Sequence, residues 1–323
     1  MISVNKRARS IVQRMIDDCE ALGIRTMRLK NGTTVLDAGI QTVGSMEAGR
    51  LFACACLGGL GQVNFTQQLL ENGDAGFWLP AVAVAVSHPH IACMASQYAG
   101  WAVKLDHYFA IGSGPARALY ANEELFQKLA YRDQSETAIL MLEGRAFPDE
   151  EVAELVAEKC RVKPERLFLL IAPTASVVGS IQIAARAAET GLHKLVELGF
   201  DVRRIVSASG LCPIAPVACD DMHAIGRTND SIFYGGQVFY TARADDDELA
   251  ALIEKIPSAS SRDYGTQFYE LFMRYKGDFF QIDPMIFSPA SVEINNLNSG
   301  HTFCAGQINR SILEASLLEG IKD

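Results

Sequence analysis

Leu167-Phe-Leu-Leu-Ile-Ala172, then Pro173-Thr-Ala-Ser176, then an alanine-rich run to about Leu198, is the stretch that decides the fold. Six apolar residues read as a strand, the proline-led tetrapeptide ends it, and helical spacing follows. A strand passing directly into a helix is the building unit of an α/β architecture. Outward from it, Val4, Ala8, Ile11, Val12, Met15, Ile16 and Cys19 fall on one helical face, with Ser3 as cap and Gly23 just past the end. Residues 26–29 and 33–37 flank Asn31-Gly32, a dipeptide suited to the positive φ angles of a tight hairpin. Helix then hairpin opens the chain. A similar order closes it: a helical run over 267–275, strands over 291–294 and 302–305 around Asn298-Ser-Gly300, and a helix from Asn309. From element order alone, the two ends are expected to be related units. Residues 149–160 form a shorter helix with a charged outer face, and the loop at 145–148 is expected to divide domain 1–145 from domain 146–323.

The chain has 323 residues, 29 Lys plus Arg against 38 Asp plus Glu, and 49% hydrophobic residues. Disorder and fibrous folds are excluded, and this length buries a core without disulfides or metals. A net charge of −9 with scattered basic residues lacks the footprint of a nucleic-acid binder. Eight cysteines set mostly in apolar stretches, and a start without a signal-peptide core, point to a reduced cytoplasm. Residues 75–103 carry no Asp, Glu, Lys or Arg, but Pro80, His88, Pro89, His90, Ser96 and Gln97 interrupt them. A buried strand followed by a loop is expected there, and no membrane span.

Gln182, Arg186 and Glu189 stand at i, i+4 and i+7, so a continuous helix projects all three from one face. Residues 168–185 carry no charge, so the adjoining arginine and glutamate are expected to be partly buried, which is costly unless the pair works. A surface ion pair is the plainer reading. Thr174, Ser176 and Ser180 place hydroxyls and free amides at a helix start, where a polar heterocycle edge docks, although N-capping accounts for one of them. Gly112-Ser113-Gly114-Pro115-Ala116-Arg117 half matches a dinucleotide fingerprint, but Arg117 replaces the third glycine and the nearest strand-end acid, Glu143, lies too far along. Arg117 beside that loop suits a carboxylate or phosphate on a substrate tail. Cys54/Cys56 and His88/His90 lack partner motifs at zinc spacing, and capping explains Asp220-Asp221 as well as a divalent ion does. No metal is expected.

Several strings read together resemble one family: residues 172–186 (Ala-Pro-Thr-Ala-Ser-Val-Val-Gly-Ser-Ile-Gln-Ile-Ala-Ala-Arg) with Glu189-Thr190, then 112–119, 212–216, Gly226-Arg-Thr-Asn-Asp230 with Tyr234, 261–265, and 92–97. Over essentially its full length the chain resembles methenyltetrahydromethanopterin cyclohydrolase. The resemblance implies two tightly associated α/β domains with the pterin in a cleft between them and a homotrimer. It also implies reversible hydrolysis of a methenyl-tetrahydropterin to its formyl form in methanogenesis or methylotrophy, without metal or redox cofactor. Its catalytic arginine and glutamate map to Arg186 and Glu189. Gln182, Thr174, Ser176, Ser180, Ser113, Gly114, Arg117, Gln97 and Tyr98 are then the expected substrate-binding residues. One departure is Tyr98, where some archaeal members carry lysine after the Ser-Gln pair; a carrier with a shorter tail would suit the change.

In the chemistry so implied, the methenyl bridge is an amidinium, already electrophilic, and needs a positioned, activated water. Glu189 is expected to take the water proton and return one to the departing nitrogen, with Arg186 holding it ionised and oriented. Three alternatives stand beside this: a nicotinamide-dependent oxidoreductase using the Gly112 turn, a non-catalytic pterin-binding protein, and the same reaction on a folate carrier.

Overall fold

A computed structural model describes residues 2–72, 75–276 and 281–318. The chain forms two compact units, Met1–Gln62 with His90–Gln182, and Val63–Pro89 with Ile183–Asp323. The expected boundary near residue 145 falls inside the first of these. The reason is the sheet itself, because β7 (Ala138–Glu143) and β8 (Leu167–Ala172) pair side by side across that position.

The first unit is built on a six-stranded sheet in the order β1-β2-β8-β7-β6-β5, with β1 Arg25–Arg28, β2 Thr34–Asp37, β5 Trp101–Leu105 and β6 Tyr108–Ser113. Strands β2, β8 and β7 are parallel, while β1, β6 and β5 run antiparallel to their neighbours. Both faces of the centre are covered, which is why β8 reads as unbroken apolar sequence. Phe168, Leu170 and Ala172 pack with Ile139 and Met141 under α1 (Val4–Asp17) and α2 (Met46–Cys56). Leu167, Leu169 and Ile171 pack with Leu140 and Leu142 under α5 (Glu150–Cys160), on the other face. Ser3 caps α1 by accepting from Lys6 N–H, and Asp149 caps α5 by accepting from Val152 N–H. In the first hairpin only Gly32 takes a positive φ, +91°, and its N–H donates to Leu29 O at 2.9 Å, so the turn is longer than a two-residue one.

The second unit carries a sheet in the order β12-β11-β10-β9-β4-β3. Its strands are β3 Gly61–Asn72, β4 Ala75–Ser87, β9 Ile205–Pro213, β10 Gln237–Ala242, β11 Ser291–Asn296 and β12 Thr302–Gly306. Burial alternates: Val238, Tyr240, Val292 and Ile294 face inward, toward the side where α7 (Ala187–Glu197) and α8 (Asp221–Gly235) pack, while Phe239 and Glu293 face out. The charge-free stretch from 75 therefore supplies strand β4, and the expected loop after it is instead a π-helix, His90–Gln97.

Both terminal hairpins lie at a sheet edge, yet their strand orders differ. At the start the leading strand β1 is outermost and β2 joins the sheet; at the end the leading strand β11 joins the sheet and β12 is outermost. The expected kinship of the two ends is not supported.

Candidate active site

Because β2, β8 and β7 are parallel, their carboxyl ends share one edge, with Asp37 opposite Ile171 and Glu143 opposite Ala172. This is the edge on which open α/β sheets hold ligands. Asp37 is spent on structure there, accepting from the N–H groups of Gly39 (3.0 Å), Ile40 (2.7 Å) and Gln41 (2.9 Å). Residues 173–176 turn from β8 into α6 (Val177–Ala184). Ser176 Oγ donates to Pro173 O at 2.7 Å and accepts from Gly179 N–H at 2.9 Å, which is the capping role. Thr174 Oγ1 donates to Glu143 Oε1 at 2.5 Å and Gln182 Nε2 donates to Glu143 Oε2 at 3.3 Å. Thr174, Ser176, Ser180 and Gln182 are all buried, and two of them converge on Glu143, a carboxylate the sequence reading weighed only as a ribose acid. What could have found it is its position: it ends an apolar strand parallel to the one that leads into Thr174.

Ser113, Gly114, Arg117, Gln97 and Tyr98 form a separate group. The π-helix closes with Tyr98 N–H donating to Cys93 O at 2.7 Å, the i→i+5 bond of that helix type, and Gln97 is buried at its end. Gly114 N–H donates to Ser96 O at 2.7 Å, and Ser113 Oγ lies 3.4 Å from Cys56 Sγ. Arg117 is 0% exposed. Its Nε and Nη2 hold both oxygens of Glu123 at 2.9 and 2.5 Å, and its Nη1 donates to the carbonyls of Met94 and Ser96 at 3.0 and 3.1 Å. The Tyr98 ring centroid is 5.1 Å from its Cζ. The anion expected from a substrate tail is thus supplied by Glu123, and Arg117 clamps the end of the π-helix instead. The half-match to a dinucleotide fingerprint also fails: β6 runs antiparallel to β7 and β5, and α3 (Ala116–Tyr120) after the turn is five residues long.

The expected single helix from the Thr174 loop to Leu198 is two helices. After α6, Arg186 N–H donates to Ile183 O at 2.9 Å, an i→i+3 bond, and Arg186 takes φ −93°, ψ −1° as the cap of α7. Nothing in Ala184-Ala-Arg-Ala-Ala188 marks a break. Neighbouring strands hold the new direction: Tyr240 OH donates to Ala188 O at 2.8 Å, and a Cβ on Gly210 of β9 would stand 3.2 Å from Ala188 N. Gln182 closes the first compact unit, and Arg186 and Glu189 open the helix of the second. Glu189 sits in the first turn of α7, and Arg186 Nη1 lies 3.6 Å from its Oε2, with the two residues 8% and 6% exposed. A guanidinium and a helix N-terminus both favour negative charge on this carboxylate.

The sequence profile of a family described as Cyclohydrolase (MCH) matches residues 3–317. The chain belongs to that family. Proteins named methenyltetrahydromethanopterin cyclohydrolase are similar to it along their whole length. That of Methanocaldococcus jannaschii is 45% identical over 320 residues, 98% of each chain. That of Methanococcoides burtonii is 42% identical over 325 residues, all of both chains. That of Methanothermobacter marburgensis is 42% identical over 321 residues, 98% of this chain and 99% of its own.

In this cyclohydrolase-family chain several of the resembling strings are structural. Asp230 accepts from Phe268 N–H at 2.9 Å and Ser316 Oγ at 2.6 Å, joining α8 to α10 (Phe268–Arg274) and α11 (Arg310–Leu317). Tyr234 OH donates to Thr266 O at 2.6 Å. Asp220 caps α8, accepting from His223 N–H at 2.9 Å, with its second oxygen 2.7 Å from His223 Nδ1. Cys219, Asp220 and His223 are the one cluster of three potential metal ligands among the described residues. Among them too, no helix is long and apolar enough to cross a membrane.

Proposed function

We infer that this protein is a methenyltetrahydromethanopterin cyclohydrolase, hydrolysing the cyclic amidinium of the methenyl carrier reversibly to the formyl form. The observation that carries the reading is the buried Arg186–Glu189 pair opening α7 in a chain of this family. Glu189 is the general base and Arg186 its electrostatic partner. Water adds to the bridge carbon and its proton passes to Glu189, leaving a neutral tetrahedral hydroxy adduct. Glu189 then returns a proton to the departing nitrogen as the carbon–nitrogen bond breaks, and the hydroxyl proton leaves as the formyl group forms. One water is consumed and one proton released. The bridge is already cationic, so the reaction calls for no metal or redox cofactor.

Gln182, Thr174 and Gln97 remain substrate-side residues in this reading. A homotrimer belongs to it as well, supported by the second sheet's outer face, where Phe239 is 39% exposed beside a shallow cavity of about 500 Å³ lined by Ala83, Ser209 and Glu293. Light scattering should return three times 35.2 kDa. A cytoplasmic location is supported by eight free cysteines. The function is tested by following the methenyl absorbance of the methanopterin and folate carriers with the purified protein. Rapid loss with the first is expected; no loss above the spontaneous rate with either refutes the reading.

A further inference from the structure

Glu143 ends β7 on the ligand-holding edge of the first sheet, is partly exposed, and has no Lys, Arg or His partner among the described residues. Its two oxygens are instead held separately by neutral donors, Oε1 by Thr174 Oγ1 at 2.5 Å and Oε2 by Gln182 Nε2 at 3.3 Å. A carboxylate oxygen accepts two hydrogen bonds, so each keeps a second acceptor direction. A carboxylate fixed at both oxygens, with a free lone pair on each, is complementary to two adjacent N–H donors pointing the same way. Asp37, on the neighbouring strand end, offers no such edge, because three backbone amides occupy it.

The 2-amino-4-oxopyrimidine ring of a pterin presents that donor pair, its N3–H and one hydrogen of its 2-amino group. We propose that Glu143 is the specificity residue for the pterin head of the substrate, accepting both bonds, and that Thr174 and Gln182 are positioning residues that aim its carboxylate. The inference rests on the pterin carrier named under the function above. It also explains why a buried hydroxyl and a buried amide stand beside this acid: they fix the rotamer of a group that has no cation to anchor it.

The test compares wild type with Glu143→Gln on the methenyl carrier and on its 2-oxo analogue, which lacks the amino donor. In wild type the analogue should show a KM about 10- to 100-fold higher with kcat nearly unchanged. In Glu143→Gln the natural carrier should lose a similar factor in KM, and the preference between the two rings should collapse. Unchanged KM, or an equal fall in kcat on both rings, would overturn the proposal, since a merely structural glutamate does not read the ring. Should Glu143→Gln fail to fold, Thr174→Val leaves the carboxylate but releases Oε1, and a severalfold rise in KM with kcat retained is expected; no rise counts against the proposal. Calorimetric binding of tetrahydropterin to wild type and variant separates this inference from the function: binding that depends on Glu143 in a protein without turnover sustains the one while the other falls.

Discussion

Arg117 shows how one side chain's chemistry is legible while its role is not. A planar fork beside a glycine turn is the right group for an anion, and the anion is there, but it is Glu123, six residues on. The ion pair is fully buried on the arginine side, so removing the arginine takes from Glu123 its cation and from the carbonyls of Met94 and Ser96 one donor each, the latter keeping Gly114 N–H. Arg117→Met should cost about 3 kcal/mol or more of stability in a urea titration, and Arg117→Lys should recover only part, because ammonium does not span both carboxylate oxygens. Equal stability of all three proteins would remove the clamp. At Glu189 the residue-level reading and the geometry coincide: a charge next to an uncharged apolar run is buried and paired, at 3.6 Å. Arg186→Lys keeps the charge while altering its reach, and kcat should fall by at least about tenfold with the fold intact.

At the scale of elements, α7 carries the proposed catalytic pair at its start and a fully buried lysine further along. Lys194 Nζ donates to Ser260 Oγ at 3.1 Å and to Met285 O, tying the helix to the 3-10 turns Ser258–Ser260 and Pro284–Ile286. Burial lowers its pKa to about 8. Lys194→Ala should destabilise by about 2–3 kcal/mol, read as a lower denaturation midpoint, because a cavity and two unpaired acceptors replace the ammonium. A midpoint unchanged within error would show that the tie carries no weight. Elements whose pattern is local were legible: the Ser3-capped first helix, both hairpins, and β8 with the helix start after it. The break between α6 and α7 was not, because no glycine or proline marks it; Tyr240 and Gly210, far off in sequence, set it. The π-helix has the sequence signature of a loop because its i→i+5 bonding matches neither the 3.6- nor the 2-residue period. The role of Glu143 is hidden in the sequence for a similar reason, since its closeness to Thr174 depends on the β7–β8 pairing.

At the scale of the molecule, the two units are interleaved along the chain, which no local composition change announces. In the second unit Asp230 gathers α8, α10 and α11, and burial raises its carboxyl pKa from 3.8 to about 7. The folded protein therefore holds a proton that the unfolded chain releases. This group's contribution to stability is complete below about pH 4, declines as pH rises toward 7 and is constant above. Relative to wild type, Asp230→Asn should gain stability between pH 5 and 7, by at most about 1.4 kcal/mol per pH unit, and level off beyond, measured by denaturant titration at each pH. A pH-independent difference would contradict it. The central claim, that Glu189 moves the proton of the attacking water, is tested most directly by the rate of methenyl absorbance loss with wild type and folded Glu189→Gln at saturating methenyl-tetrahydromethanopterin. The account predicts a fall in kcat of at least about a hundredfold with KM little changed; near-normal turnover by the variant would contradict it.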